Sequence, residues 1–328
     1  MLAYVIKRLI YMIPTLFGMS VISFMIIQLP PGDYLTSMLA SMADSGVNVD
    51  ANQIARYREI YGFDDPVWEQ YLKWIGGILL RGDFGYSFEW NRPVAELIWE
   101  RMGSTLSISL AALLFVWAVS LPIGIYSAVR RHSVGDYTFT FLGFIGLAVP
   151  NFILALTLMY LSYRYLGQSV GGLFSPEYAE APWSWGKFLD LLAHLWIPII
   201  VIGTNGTAAL IRILRANLTD ELNKPYVITA KAKGLPEHKV VLKYPVRIAL
   251  NPFVSAIGWV LPELISGVTI TAIVLNLPTA GPLLLRALIS QDMYLAGSFI
   301  LLMGVLTLIG MLISDLLLAL LDPRIRFQ

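Results

Sequence analysis

The sequence predicts an all-α integral membrane protein of six transmembrane helices, with a small helical extracytoplasmic region between the first two. Three observations lead there. Hydrophobic residues make up 57% of the chain and charged residues 14%, where soluble domains carry roughly a quarter charged residues. Mean hydropathy is +0.67. Six apolar runs each approach or exceed the roughly 20 residues a helix needs to cross about 30 Å of hydrocarbon.

Lys7-Arg8 precede the first run, 9–29. It is longer than a signal-peptide core and ends at Pro30-Pro31-Gly32-Asp33, not at a small-residue cleavage site, so a retained helix is expected. The second run, 104–129, is closed by Arg130-Arg131-His132. The third, 137–163, contains Pro150, expected as a kink that neighbouring helices tolerate. The fourth, 191–214, is the least apolar; it holds Pro198 and Gly203-Thr204-Asn205-Gly206-Thr207 and is closed by Arg212 and Arg215. The fifth and sixth are 252–276 and 295–321, before the tail Asp322-Pro323-Arg324-Ile325-Arg326. The chain thus divides into 1–29 (tail and first helix), 30–103, and a core of 104–328 that includes a cytoplasmic loop at 215–250. Six crossings put both termini on one side. Lys7, Arg8, Arg130, Arg131, Arg212, Arg215, every Lys and Arg of 224–247, and Arg324 and Arg326 share that side. The positive-inside rule makes it cytoplasmic, because most of the other basic residues lie in one long loop that the rule discounts.

That loop, 30–103, carries eleven acidic residues against six basic ones. Asp50 is placed to cap a helix ending at Gly62, and Asp65-Pro66 to open another running to about Leu80, with a stripe of Val67, Tyr71, Trp74/Ile75 and Ile78. Arg92-Pro93 starts a third that leads into the second run. The region either contacts whatever delivers substrate or shields helix ends.

The polar segment 223–252 reads as two short helices. Asn223 is a candidate cap, Pro225 suits a first turn, and Gly234 is a natural left-handed stop. Leu235-Pro236-Glu237 restarts a helix. Val240, Val241, Tyr244 and Ile248 give it an apolar stripe, with Lys239, Lys243 and Arg247 on another side. Orientation alone accounts for the charges, but not for this punctuation and stripe, which suit docking onto a soluble partner.

No catalytic residue and no metal site is expected. Cysteine is absent, and His132, His194 and His238 lack ligand spacing. No phosphate-binding G-x-x-x-x-G-K-[ST] occurs, so any ATP would be bound by another chain. Glu263 in the fifth run and Asp315 in the sixth are ionisable groups at membrane depth, either path-lining or paired for packing. Asn205, with Thr204 and Thr207, either lines a conduit or marks close helix packing. Trp68, Trp74, Trp90, Trp99, Trp183 and Trp185 fall in outer segments, where interfacial anchoring accounts for most of them.

Thr229-Ala230-Lys231-Ala232-Lys233-Gly234-Leu235, with Asn251-Pro252 beyond, resembles the coupling-loop motif of ATP-binding-cassette importer permeases. It is most similar to the dipeptide/oligopeptide/nickel branch. Tyr4 to Ile10 with Ile13-Pro14, Pro31-Gly32-Asp33, Arg81-Gly82-Asp83-Phe84-Gly85-Tyr86-Ser87, Arg92-Pro93-Val94 and Leu320-Leu321-Asp322-Pro323-Arg324 extend the likeness over nearly the whole chain. Two departures stand out: Ile228 replaces the general motif's Glu, and Ala272 the acid usual after the fifth span.

The resemblance implies a type I importer permease fold in a cytoplasmic membrane. It implies a second homologous permease subunit, two cytoplasmic ATP-binding subunits holding ATP and Mg, and an extracytoplasmic substrate-binding protein. Membrane lipid is the remaining partner, and nucleic acid is not one. Coupling to the ATPases falls to Tyr226, Thr229, Ala230, Lys231, Ala232, Lys233, Gly234, Leu235, Pro236, Lys239 and Lys243. Asn205, Glu263 and Asn276 are the path candidates. Oligopeptides lead as substrate, with oligosaccharides second. An intramembrane enzyme would need reactive groups paired at one depth, and a scaffold would show no uptake defect on deletion.

Overall fold

A computed structural model describes residues 2–28, 65–87, 89–168, 171–251, 253–255, 269–290 and 292–321. Four of its helices are long and apolar enough to cross a membrane: α1 (Leu2–Gln28), α3 (Val94–Val129), α7 (Trp185–Leu222) and α13 (Met293–Leu321). The third expected span is not one kinked helix. It breaks into α4 (Val134–Ala148) and α5 (Asn151–Leu161), bent by 102°. The cause is local: proline disfavours α geometry in the residue before it, and Val149 is extended at φ −86°, ψ 119°. A π-turn, Ser162–Leu166, follows α5 and stops at a left-handed Gly167. Of the fifth expected span, 252–276, most lies outside the described residues, Glu263 included, and α11 (Thr269–Val274) is its described end. The described helices therefore supply four crossings, or five if the bent pair counts as one. The helix predicted from Asp50 to Gly62 also lies outside the described residues.

The chain clusters into two compact units. One gathers Ile6–Gly103 and Ala280–Leu306. It contains most of α1, then α2 (Val67–Arg81), which starts after Pro66 and ends at the left-handed Gly82, and a small antiparallel ladder pairing β1 (Tyr86–Ser87) with β2 (Arg92–Pro93). It also holds α12 (Ala280–Ile289) and the start of α13. Trp74 of α2 is buried with Phe24 and Leu301, and Tyr71, Ile75 and Ile78 pack around them; Val67, the first residue of the expected stripe, is exposed. The Tyr71 hydroxyl shares a 2.8 Å hydrogen bond with Ser20 of α1.

In the same unit the Arg81–Ser87 stretch seats on the start of α13. Ser298 donates to the Phe84 carbonyl at 3.2 Å, and Gly85, at φ +93°, lies so close to Tyr294 that a Cβ would fall 2.7 Å from its ring. Fully buried Asp292 begins α13, accepting the Leu295 N–H at 3.3 Å and the Ser87 hydroxyl. Burial pushes the Asp292 carboxyl above the ordinary aspartate range, against the pull of these donors.

The second unit takes in Ser104–Thr279. Ile108 and Ala112 of α3, Ala155 of α5, Ile197, Val201 and Ile202 of α7 and Ala272 of α11 form one buried cluster. Apolar burial gains little against lipid tails, so close approach of small residues has to hold such helices together. A Cβ on Gly203 would lie 2.6 Å from the Phe115 ring, and one on Gly146 would lie 2.7 Å from the Thr204 methyl.

The raised Asp292 pKa gives a pH prediction. The folded state holds that proton more tightly than the unfolded chain, so this group's contribution is best in acid and declines above about pH 4. Asp292→Asn should flatten the decline. In detergent, its unfolding midpoint should fall less than the wild type's between about pH 4 and 7; parallel profiles would contradict the assignment.

Candidate functional site

Three short helices follow α7: α8 (Pro225–Ala232), α9 (Glu237–Lys243) and α10 (Pro245–Ala249). Pro225 occupies the first turn of α8, as its fixed φ and missing N–H favour. Asn223 does not cap α8; its side chain closes α7, Nδ2 donating to the Thr219 carbonyl at 3.0 Å, and extended Lys224 takes the cap position without a side-chain bond. At the far end Gly234 adopts φ +77° and its N–H donates to the Lys231 carbonyl at 3.0 Å. A Cβ there would meet open space, so the backbone conformation is what calls for glycine.

The elbow has its own small core. Val227 and Val240 are fully buried, with Ala230 between them and Tyr244 packed alongside. Burying each valine contributes about 1.5–3 kcal/mol, more than two helices this short could gain from propensity alone. Lys231 bridges Glu237 across the Gly234 turn at 3.2 Å, an exposed pair that adds little.

The expected apolar stripe ends early. Pro245 stops α9 at Lys243, with Tyr244 at φ −113°, ψ −76°, so the register turns before α10. Val246 and Ala249 are buried there and Ile248 is exposed. Val241, Val246 and Ala249 join Leu210, Leu214 and Leu218 of α7 and Val116 and Ala128 of α3 in one cluster, which fastens the elbow to its supporting helices.

Most residues expected to couple are exposed: Tyr226, Thr229, Lys231, Ala232, Lys233, Gly234, Leu235, Pro236, Lys239 and Lys243. Ala230 instead faces inward, at 7% exposure, and shapes the elbow without being presented by it. Ile228 (62% exposed), Leu242 (58%) and Ile248 add apolar surface among the lysines. The Tyr226 hydroxyl donates to Glu221 at 2.6 Å; burial and that carboxylate raise its pKa, so it stays protonated at neutral pH.

One feature at the root of the elbow was not legible from local sequence. Arg215 of α7 grips Asp136 of α4 with two prongs, Nε to Oδ1 at 2.7 Å and Nη2 to Oδ2 at 2.8 Å. Asp136 is 1% exposed and also accepts the His132 N–H at 2.9 Å, while Ser133 caps α4. In the sequence Arg215 reads only as a charge closing the fourth run, and Asp136 has no assigned role.

Of the path candidates, Glu263 lies outside the described residues, and Asn205 and Asn276 are exposed. Asn205 lies on an exposed face of α7, whereas Gly203 and Gly206 beside it pack toward Phe115 and Val116. Thr204 Oγ1 donates to the Ile200 carbonyl at 2.5 Å, and Thr207 is buried with no hydrogen-bond partner among the described residues. Asn276, exposed at φ +50°, lies in the turn after α11, and Asp315 of α13 is half-buried. Among the described residues no His, Cys, Asp and Glu side chains cluster as metal ligands.

Comparison with known proteins places the whole chain. Residues 120–327 match the family described as "Binding-protein-dependent transport system inner membrane component". This chain belongs to that family. Its residues 1–109 match the model for the N-terminal part of such membrane components. As a member, it is 36% identical over 331 residues to the oligopeptide transport system permease protein AppB of Bacillus subtilis, with both chains covered in full. It is 31% identical to the dipeptide transport system permease protein DppB of Escherichia coli, and 31% to the di/tripeptide transport system permease protein DppB of Pseudomonas aeruginosa, again over full lengths. It is therefore a permease component of a transport system in the inner membrane.

Ala230→Asp would bury a carboxylate against Val227 and Val240, so α8 and α9 should open while the long helices persist. Tryptic cleavage at Lys231, Lys233 and Lys239 should accelerate by about tenfold or more. An unchanged cleavage rate would remove Ala230 from the elbow's core.

Proposed function

We propose that this chain is one of two homologous permease subunits of an ATP-driven importer of short peptides. The elbow at 223–250 is its docking surface for a cytoplasmic ATP-binding subunit. The observation that carries this reading is that Tyr226, Ile228, Leu235 and Leu242 are exposed together with Lys231, Lys233, Lys239 and Lys243, on helices stiffened by Val227, Ala230 and Val240. The peptide assignment is supported by full-length relatives named for oligopeptide, dipeptide and di/tripeptide transport.

In this reading both termini are cytoplasmic and the stretch 252–276 supplies the remaining crossing, for six in all. Residues 30–103 lie outside, where a substrate-binding protein delivers its load. ATP and Mg bind between two partner ATPase subunits. Their closure draws the docked elbows together and rocks the permease halves from inward-open to outward-open. Stiffness is the physical requirement, because a short helix seated in a cleft transmits rigid-body motion and a flexible loop would absorb it. Asn205, Glu263 and Asn276 are assigned to the path, as polar groups in otherwise apolar stretches.

The test uses cells that carry this chain with its neighbouring transport genes. Deleting it should abolish uptake of radiolabelled trialanine and leave maltotriose uptake unchanged; loss of maltotriose uptake alone would move the substrate to oligosaccharides. Gly234→Pro removes the N–H bonded to Lys231 and forbids φ +77°, so it should abolish trialanine uptake while the protein still inserts. Normal uptake by this variant would remove the docking assignment.

A further inference from the structure

We propose that the Asp136–Arg215 pair is a positioning device that makes α4 and the end of α7 move as one body, so that displacement of the elbow reaches the membrane helices. The inference rests on the importer reading above and assigns residues outside the elbow to its coupling. Elsewhere between α4 and α7, Gly146 lies on the Thr204 methyl, and Gly143 lies on Ala208. Glycine contacts of this kind permit close approach but carry no directional bond that fixes a register. The bidentate fork supplies one, because two parallel N–H···O bonds fix both distance and angle.

The placement of the pair fits this role. Arg215 lies two turns before the elbow, and its carbonyl accepts the Thr219 hydroxyl at 2.6 Å. Asp136 is in the first turn of α4 and takes a third donor, the His132 N–H, which ties the turn after α3 into the same joint. The break at Val149-Pro150 keeps α4 from being braced as part of one long helix, so its anchorage has to come from this end.

The test compares the assembled importer carrying wild type, Asp136→Asn or Arg215→Lys. The lysine variant keeps the charge and loses only the fork, which guards against failure to fold. Because the chain contains no cysteine, Thr138→Cys on α4 and Asp220→Cys on α7, both exposed, place two spin labels on this chain. With the native pair, the label-to-label distance distribution should be the same with and without ATP. In both variants it should broaden, and trialanine transported per ATP hydrolysed should fall about tenfold, the scale expected when a coupling network is cut, with the ATPase subunits still bound. Unchanged transport per ATP in variants that hold their ATPase would overturn the proposal and leave the importer reading intact. So would loss of the ATPase from both variants, which would make the pair a support for the docking face alone. A wild-type assembly that holds no ATPase would overturn the importer reading and this proposal together.

Discussion

Helices of eight, seven and five residues do not hold their shape in water unaided. The elbow keeps its shape because Val227, Ala230 and Val240 bury one another on one side while Val241, Val246 and Ala249 bury against α7 and α3 on the other. The docking role proposed for this segment depends on those two patches. They leave the lysines and the remaining apolar residues free to face a partner, and they give the segment a fixed shape with which to transmit force.

The two ends of this arrangement meet different solvents. In the elbow, burial removes apolar surface from water and the hydrophobic effect supplies the stability. In the apolar spans that driving force is absent, and the helices rely on glycine contacts such as Gly203 on Phe115 and Gly146 on Thr204. Between them sits the Asp136–Arg215 pair, a part-buried and fully directional contact where neither mechanism alone would fix a register. Asp292 has a comparable place in the other unit, fastening the Arg81–Ser87 stretch to α13 through Ser87.

Local chemistry made much of this readable in advance. Apolar runs located the four long helices, Asp65-Pro66 located α2, and Pro225, Gly234 and Pro236 placed the breaks of the elbow. Proline was misread where its effect depends on the neighbour. Pro150 breaks its helix outright where a kink was expected, and Pro245 cuts α9 short and turns Ile248 outward. Asn223 has the chemistry for either of two caps, and only the geometry shows that it closes α7. Contacts between distant residues were not legible at all. Asp136 and Arg215 are 79 positions apart, and Ser87 and Asp292 are 205 apart; no helical or strand period connects them. The inward turn of Ala230 is of the same kind, since it follows from how α9 folds back onto α8.

The central claim is that the elbow's exposed face meets an ATP-binding subunit on the cytoplasmic side. The most direct measurement places one cysteine at Leu235, at the tip of the Gly234 turn, in this cysteine-free chain, and adds a short thiol-to-amine crosslinker to the assembled transporter in membranes. The account predicts a crosslinked product containing an ATP-binding subunit, with the thiol protected from a membrane-impermeant maleimide added to intact cells. Labelling of that cysteine from outside, with no crosslink to an ATP-binding subunit, would contradict it.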